Sequence, residues 1–128
     1  MRAIVITGLL LAGCSSFPKA GPPPGPLSLQ AVQVAQTKYP TATAESLESG
    51  RQLFLQHCNQ CHKFPALGEY SDADWQRIVP RMAGKAQLSP ADGDKILTFI
   101  LSSRAYSTSA RTTPTSAPPA ISHVAFGR

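Results

Sequence analysis

Cys58, Asn59, Gln60, Cys61 and His62 set two thiols three positions apart with an imidazole next in line. At the end of a helix, thiols so spaced reach the two vinyl groups of one porphyrin and form thioethers, and the imidazole that follows is delivered to the iron. C-x-x-C-H is accordingly the sequence of covalent haem attachment. The same thiols also occur as a surface dithiol, as half of a zinc site, or as a thioredoxin-like redox pair. Zinc requires four ligands, and beyond Cys58, Cys61 and His62 the remaining candidates are His57, immediately before the motif, and the remote His123. A sound tetrahedron is hard to build from that set. A thioredoxin-like pair follows a strand in a mixed sheet of more than about ninety residues, whereas this pair follows a helical pattern in a domain of about sixty-five. Haem attachment is the chemistry that the residues favour.

The elements that must position the motif are helical. From about Ala44 to Cys58, Leu47, Gly50, Phe54 and Cys58 recur at spacings of three and four, which puts them on one face. Gly50 stands on that packed face although glycine costs about 1 kcal/mol against alanine in a helix, so another helix is expected to cross closely there. A second helix opens at Ser71 as N-cap, with Asp74 three residues on, and carries Trp75, Ile78, Val79 and Met82 as one apolar stripe. Pro80 lies inside it and removes the backbone bond to Gln76, which predicts a kink or a stop. A third begins with Ser89 as N-cap and Pro90 at the first helical position, and sets Ile96, Phe99 and Ile100 on one side, flanked by Leu97 and Leu101. No segment between them alternates in the way a half-buried strand requires.

Composition limits the remaining possibilities. A chain of 128 residues with a net charge of +5 holds one small domain. Its basic residues Lys63, Arg77, Arg81, Lys85 and Lys95 alternate with Glu69, Asp72, Asp74, Asp92 and Asp94, a pattern that does not form a nucleic-acid-binding surface. With three cysteines, no extensive disulfide framework is possible. So small a core commonly needs a cofactor or a cross-link for useful stability, and an inserted haem would supply one.

The N-terminus reads as an address. Arg2 precedes an apolar run from Ala3 to Ala12 that is too short to span a bilayer but suits an export signal. The run ends in Leu11, Ala12, Gly13 and Cys14, which resembles the lipobox of bacterial lipoproteins. That resemblance implies a signal peptide over 1–13, cleavage before Cys14, and lipid attachment at Cys14. The protein would then be anchored in the inner or outer membrane of a bacterial cell envelope, facing the periplasm. On an ordinary secretory signal Cys14 would instead be free. Residues 14–40, rich in proline and glycine, are expected to form a spacer of extended polyproline character. Residues 41–106 form the domain, and the Ser/Thr/Pro-rich stretch 107–128, which includes His123, is expected to be disordered.

From about Glu45 to Leu101 the chain resembles a small class I cytochrome c. That family places a glycine and an aromatic in the helix before the haem motif, here Gly50 and Phe54, and an aromatic on the C-terminal helix that packs across them, here Phe99. Its sixth iron ligand is a downstream methionine. Met82 is the only methionine left once the signal is removed, and it lies twenty residues after His62, a short distance for the family that implies a compact variant with an open haem edge. The resemblance implies an all-α fold around one covalent haem c, held by thioethers to Cys58 and Cys61, with His62 and Met82 as axial ligands. It implies an electron carrier rather than an enzyme, either stand-alone or as a subunit of a respiratory or dehydrogenase complex, with redox proteins as partners. Histidine and methionine ligation raises the potential relative to other axial pairs. The alternatives are an open sixth position, used as a gas sensor or small peroxidase, and a purely structural haem. The other ring nitrogen of His62 needs an acceptor, for which a carbonyl between Lys63 and Leu67 is the nearest supply. Pro65 stiffens that loop, although the family's usual proline lies further from its histidine. Trp75, Arg77, Arg81 and Lys85 either approach the haem propionates or are a packed indole and solvated cations.

Overall fold

The computed structural model describes residues 19–112. Four helices run in chain order: α1 (Leu29–Lys38), α2 (Ala44–His57), α3 (Asp72–Lys85) and α4 (Pro90–Thr112). Among the described residues there is no strand, and one isolated antiparallel bridge joins Ala20 to Pro65. The fold is all-α, as the patterning predicts. None of these helices is long and apolar enough to cross a membrane.

Each helix starts where side-chain chemistry dictates. The Thr43 hydroxyl accepts the Ser46 N–H at 3.1 Å while Ser46 Oγ accepts the Thr43 N–H at 2.9 Å, closing a reciprocal cap on α2. Ser71 and Asp74 do the same for α3. Before α4, Ser89 Oγ accepts the Asp92 N–H at 3.1 Å. Such caps satisfy N–H groups that have no partner within the helix, and each contributes about 1 kcal/mol.

The long helix α4 is the spine on which the other three pack, and α3 has no backbone contact with either α1 or α2. At the α2–α4 crossing, a Cβ built on Gly50 would lie 2.2 Å from the carbonyl oxygen of Lys95 and 3.0 Å from Phe99 Cβ. The glycine therefore admits a backbone contact that no other residue permits. Phe54 lies beside it, its ring 6.1 Å from Phe99 and 5.3 Å from Phe64. Trp75, Val79 and Ala83 of α3 are buried against the same spine. The main core comprises Phe54, Trp75, Val79, Ile96, Phe99, Ile100 and Leu101, and a smaller cluster gathers Ala35, Ala42 and Leu47.

Three segments depart from the sequence-based expectations. The stretch 14–40, expected to be a spacer without regular structure, contains α1. That helix buries Ala31 and Ala35, while its largest apolar residue, Leu29, is 82% exposed. The packing face is made of alanines, whose small side chains let α1 lie close to α4 but give little hydrophobic contrast in the sequence. The expected tail begins six residues too early, because α4 runs to Thr112, with Ser103, Ser107 and Thr112 hydroxyls donating to carbonyls one turn back. Pro80 does not end α3, which continues to Lys85. Pro80 and Gln76 are both exposed, so water can take up the carbonyl bond that the ring removes, while burial of Trp75, Val79 and Ala83 holds the helix on α4.

Candidate haem site

Cys58 caps the C-terminus of α2, its N–H donating to the Phe54 carbonyl at 2.9 Å. Its side chain is half-buried against the core. Burial pushes the thiol up to about 11, so it stays neutral at ordinary pH. The chain then leaves the helix in a short turn, and Cys61 and His62 are exposed. One contact fixes the imidazole: His62 Nδ1 lies 2.8 Å from the carbonyl oxygen of Lys63. A carbonyl only accepts, so Nδ1 is the donor, and the tautomer leaves the Nε2 lone pair free for a metal. The acceptor comes from the 63–67 loop, where the sequence places it.

Met82 lies on α3 beside the buried stripe, in a row with Ile78 four residues earlier. Both are half-buried, and Met82 belongs to neither packed cluster. A methionine serving as core filler would sit inside one of them. Other apolar side chains are left partly uncovered at the margin of the main core, among them Leu53 on α2, Phe64 and Leu67 in the loop, Leu88 before α4 and Leu97 on it. The helices that carry the motif and Met82, α2 and α3, both pack on α4 without touching each other's backbone.

These residues fit a covalently held haem. The thiols, the imidazole with its free nitrogen, the uncommitted thioether and the half-covered apolar margin each match what such a group requires. They fit zinc poorly. Among the described residues, no three His, Cys, Asp or Glu side chains gather as a tetrahedral site demands. Thioethers to two separate vinyl groups require no such convergence. Cys14 and His123 lie outside the described residues.

The second rank of sequence candidates divides. Trp75 is buried, with its ring edge-on to Tyr70 at 5.3 Å, and its indole N–H donates to the Leu67 carbonyl at 3.2 Å. Its polar group is thus already engaged in holding the loop. Arg77 pairs with Asp74. Arg81 and Lys85 are exposed, with no acidic partner among the described residues. Pro65 is held in the bridge to Ala20, so the loop is stiffened by pairing as well as by the ring. His57 ends α2 on the motif's own side.

Sequence reasoning missed a charged cluster behind the loop. Asp72 accepts from Lys38 of α1 at 3.1 Å and from Arg104 of α4 at 2.7 Å, and Arg104 also donates to the Leu67 carbonyl at 2.6 Å. These bonds, Arg104's first among them, hold the Asp72 carboxyl below its usual range. Separations of more than thirty residues leave no local signal for such a cluster. A cleft of about 330 Å³ borders it, lined by Lys38, Ser71, Asp72, Arg104, Ala105 and Thr108, and includes no residue of the motif.

No protein-family model, curated protein or solved structure matches this chain.

Proposed function

We propose that the chain is a membrane-tethered monohaem c-type cytochrome that passes single electrons outside the cytoplasmic membrane, as a carrier or as a subunit of a respiratory or dehydrogenase complex. The observation that carries this reading is the pairing of Cys58-x-x-Cys61-His62 at a helix end with an imidazole whose Nδ1 is committed to the Lys63 carbonyl. Cys58 and Cys61 would each add sulfur and hydrogen across a vinyl group, with nothing released. His62 would bind iron through Nε2, and Met82 would supply the sulfur ligand. When bound, the haem provides a one-electron couple. The chain's own residues would hold that group and fix the His62 ring, and Leu53, Phe64, Ile78 and Leu97, partly uncovered at the core margin, would offer it apolar surface.

The exported, matured protein should be coloured and should keep its pigment in acidified organic solvent. The oxidised form should show the weak band at the red end of the spectrum that signals sulfur ligation. Met82→Ala should abolish that band while the haem is retained, and an unchanged band refutes Met82 as ligand. Rapid carbon monoxide binding by the untreated reduced protein would point instead to an open sixth position, as in a gas sensor or small peroxidase. A colourless product would overturn the whole reading.

A further inference from the structure

The segment that leads from the N-terminal address to the first helix is not free. The Gly21 N–H donates to the Phe64 carbonyl at 2.8 Å and the Ala66 N–H donates to the Lys19 carbonyl at 2.9 Å. The backbones approach so closely that a Cβ on Gly21 would stand 2.7 Å from Ala66 Cα. Further along, the Arg51 guanidinium, gripped by Glu48, donates to the Pro24 carbonyl at 3.2 Å, and Leu27 packs against both hydrophobic clusters. A stretch that composition alone would leave loose is pinned at its start, middle and end. Its first pinned residue grips the loop that follows His62.

This changes the reach of the tether. A free extended segment over 14–40 would allow about 80 Å. Only four residues separate Cys14 from Lys19, and the five steps between them span at most about 18 Å. Lys19 and Lys63 are exposed at the end of the domain nearest the anchor, with the exposed Glu69 on the same loop, so the excess of one positive charge there favours an anionic surface only weakly.

Resting on the readings of Cys14 as the lipidated residue and of the motif as the haem site, we propose that Lys19–Gly21 is a strap that holds the haem-bearing loop against the lipid surface. The domain does not float on a long leash; it lies with one chosen end on the bilayer. The first turn of α4, whose Asp92 feels the charge of His57, is displaced from the strap along the helix axis. Arg104 meets Leu67 at the loop, and Ala91 lies thirteen residues before it on the same helix, about 20 Å along the axis.

The test uses the full lipidated chain in vesicles of phosphatidylcholine and phosphatidylglycerol that carry a nickel-chelating lipid. A nitroxide is placed at Glu69→Cys in the loop or at Ala91→Cys at the start of α4. Cys58 and Cys61 are consumed as thioethers, so the introduced thiol is the one labelled. Relaxation enhancement by the lipid-borne nickel should be several-fold greater at position 69 than at position 91. Adding Gly21→Val, which forces the strap off without touching a helix, should bring the two values together. Equal enhancement with the native strap, or a difference that survives Gly21→Val, overturns the proposal. The other readings are checked on the same sample. A colourless protein sinks the haem assignment, and the label contrast is then read in a Cys58→Ser, Cys61→Ser background, where the introduced thiol at 69 or 91 is again the one labelled; a chain that fails to float with the vesicles overturns the anchor on Cys14 together with the proposal.

Discussion

The α2–α4 crossing and the loop from Cys58 to Tyr70 adjoin each other yet are held by different means. At the crossing, Gly50, Phe54 and Phe99 are buried and the two backbones meet, so that removal of water from apolar surface specifies one geometry. Along the loop, Cys61, His62, Lys63, Gly68 and Glu69 are exposed, and beyond the stacking of Phe64 on Phe54 the chain is fixed by discrete hydrogen bonds: the strap at Phe64 and Ala66, and Trp75 and Arg104 at Leu67. The difference separates scaffold from site. Close packing makes the helices insensitive to what the loop carries, while polar fastening leaves the motif accessible to a cofactor and to a partner.

The sharpest way to break the scaffold half is Gly50→Val. A Cβ there would collide with a carbonyl oxygen of α4, a backbone group that cannot swing aside, so α2 and α4 must separate and expose Phe54 and Phe99. The expected loss is about 3 kcal/mol or more, read as a lower urea midpoint of the mature protein. In contrast, Gly84→Ala on the outer side of α3, where a Cβ meets nothing within 4 Å, should leave the midpoint unchanged or raise it by up to about 1 kcal/mol. A comparable loss at both glycines would mean that the crossing is not close.

The same division governs what could be read from the sequence. Helices α2, α3 and α4 announce themselves through large apolar residues at helical spacing, α3 and α4 also through Ser71 and Ser89 at their starts, and Gly50 marks the crossing because glycine is out of place on a packed face. Helix α1 escapes because alanines make up its buried face, and the strap escapes because backbone hydrogen bonds leave no trace in side-chain type. The motif is legible as chemistry, and the carbonyl that orients His62 follows from the shortness of the loop behind it. Arg104 and Asp72, which brace that loop from behind, are set by tertiary placement alone.

Trp75→Phe tests whether the scaffold holds the loop. Phenylalanine keeps most of the buried ring but removes the N–H that reaches Leu67, so the core should lose about 1 kcal/mol and the loop one of its fastenings. Amide exchange of residues 63–70 should quicken more than that of α2 or α4. Uniform acceleration across all three would show that loop and core open as one unit.

The smallest expected effect lies on the outer face of α2. Glu48 accepts from both ends of the Arg51 guanidinium, at 2.8 and 2.6 Å, and from Gln52 at 2.8 Å, and the Arg51 bonds foremost lower its carboxyl from 4.5 to about 2. A depressed pKa stabilises the fold above the unfolded value, and that contribution is lost as pH falls from about 4.5 through about 2. The Glu48 side chain is 44% exposed, so screening by water holds the effect below about 1 kcal/mol. Glu48→Gln should therefore flatten the acid limb of the stability curve within that window and change little at neutral pH. Arg51 also holds Pro24, so the strap should loosen in the same window, and exchange at Gly21 and Ala66 should quicken in acid more for the native chain than for the variant, which is already relaxed. If acid loosens both chains alike, Glu48 plays no part in holding the strap, which then rests on the Gly21–Phe64 and Lys19–Ala66 backbone bonds without it.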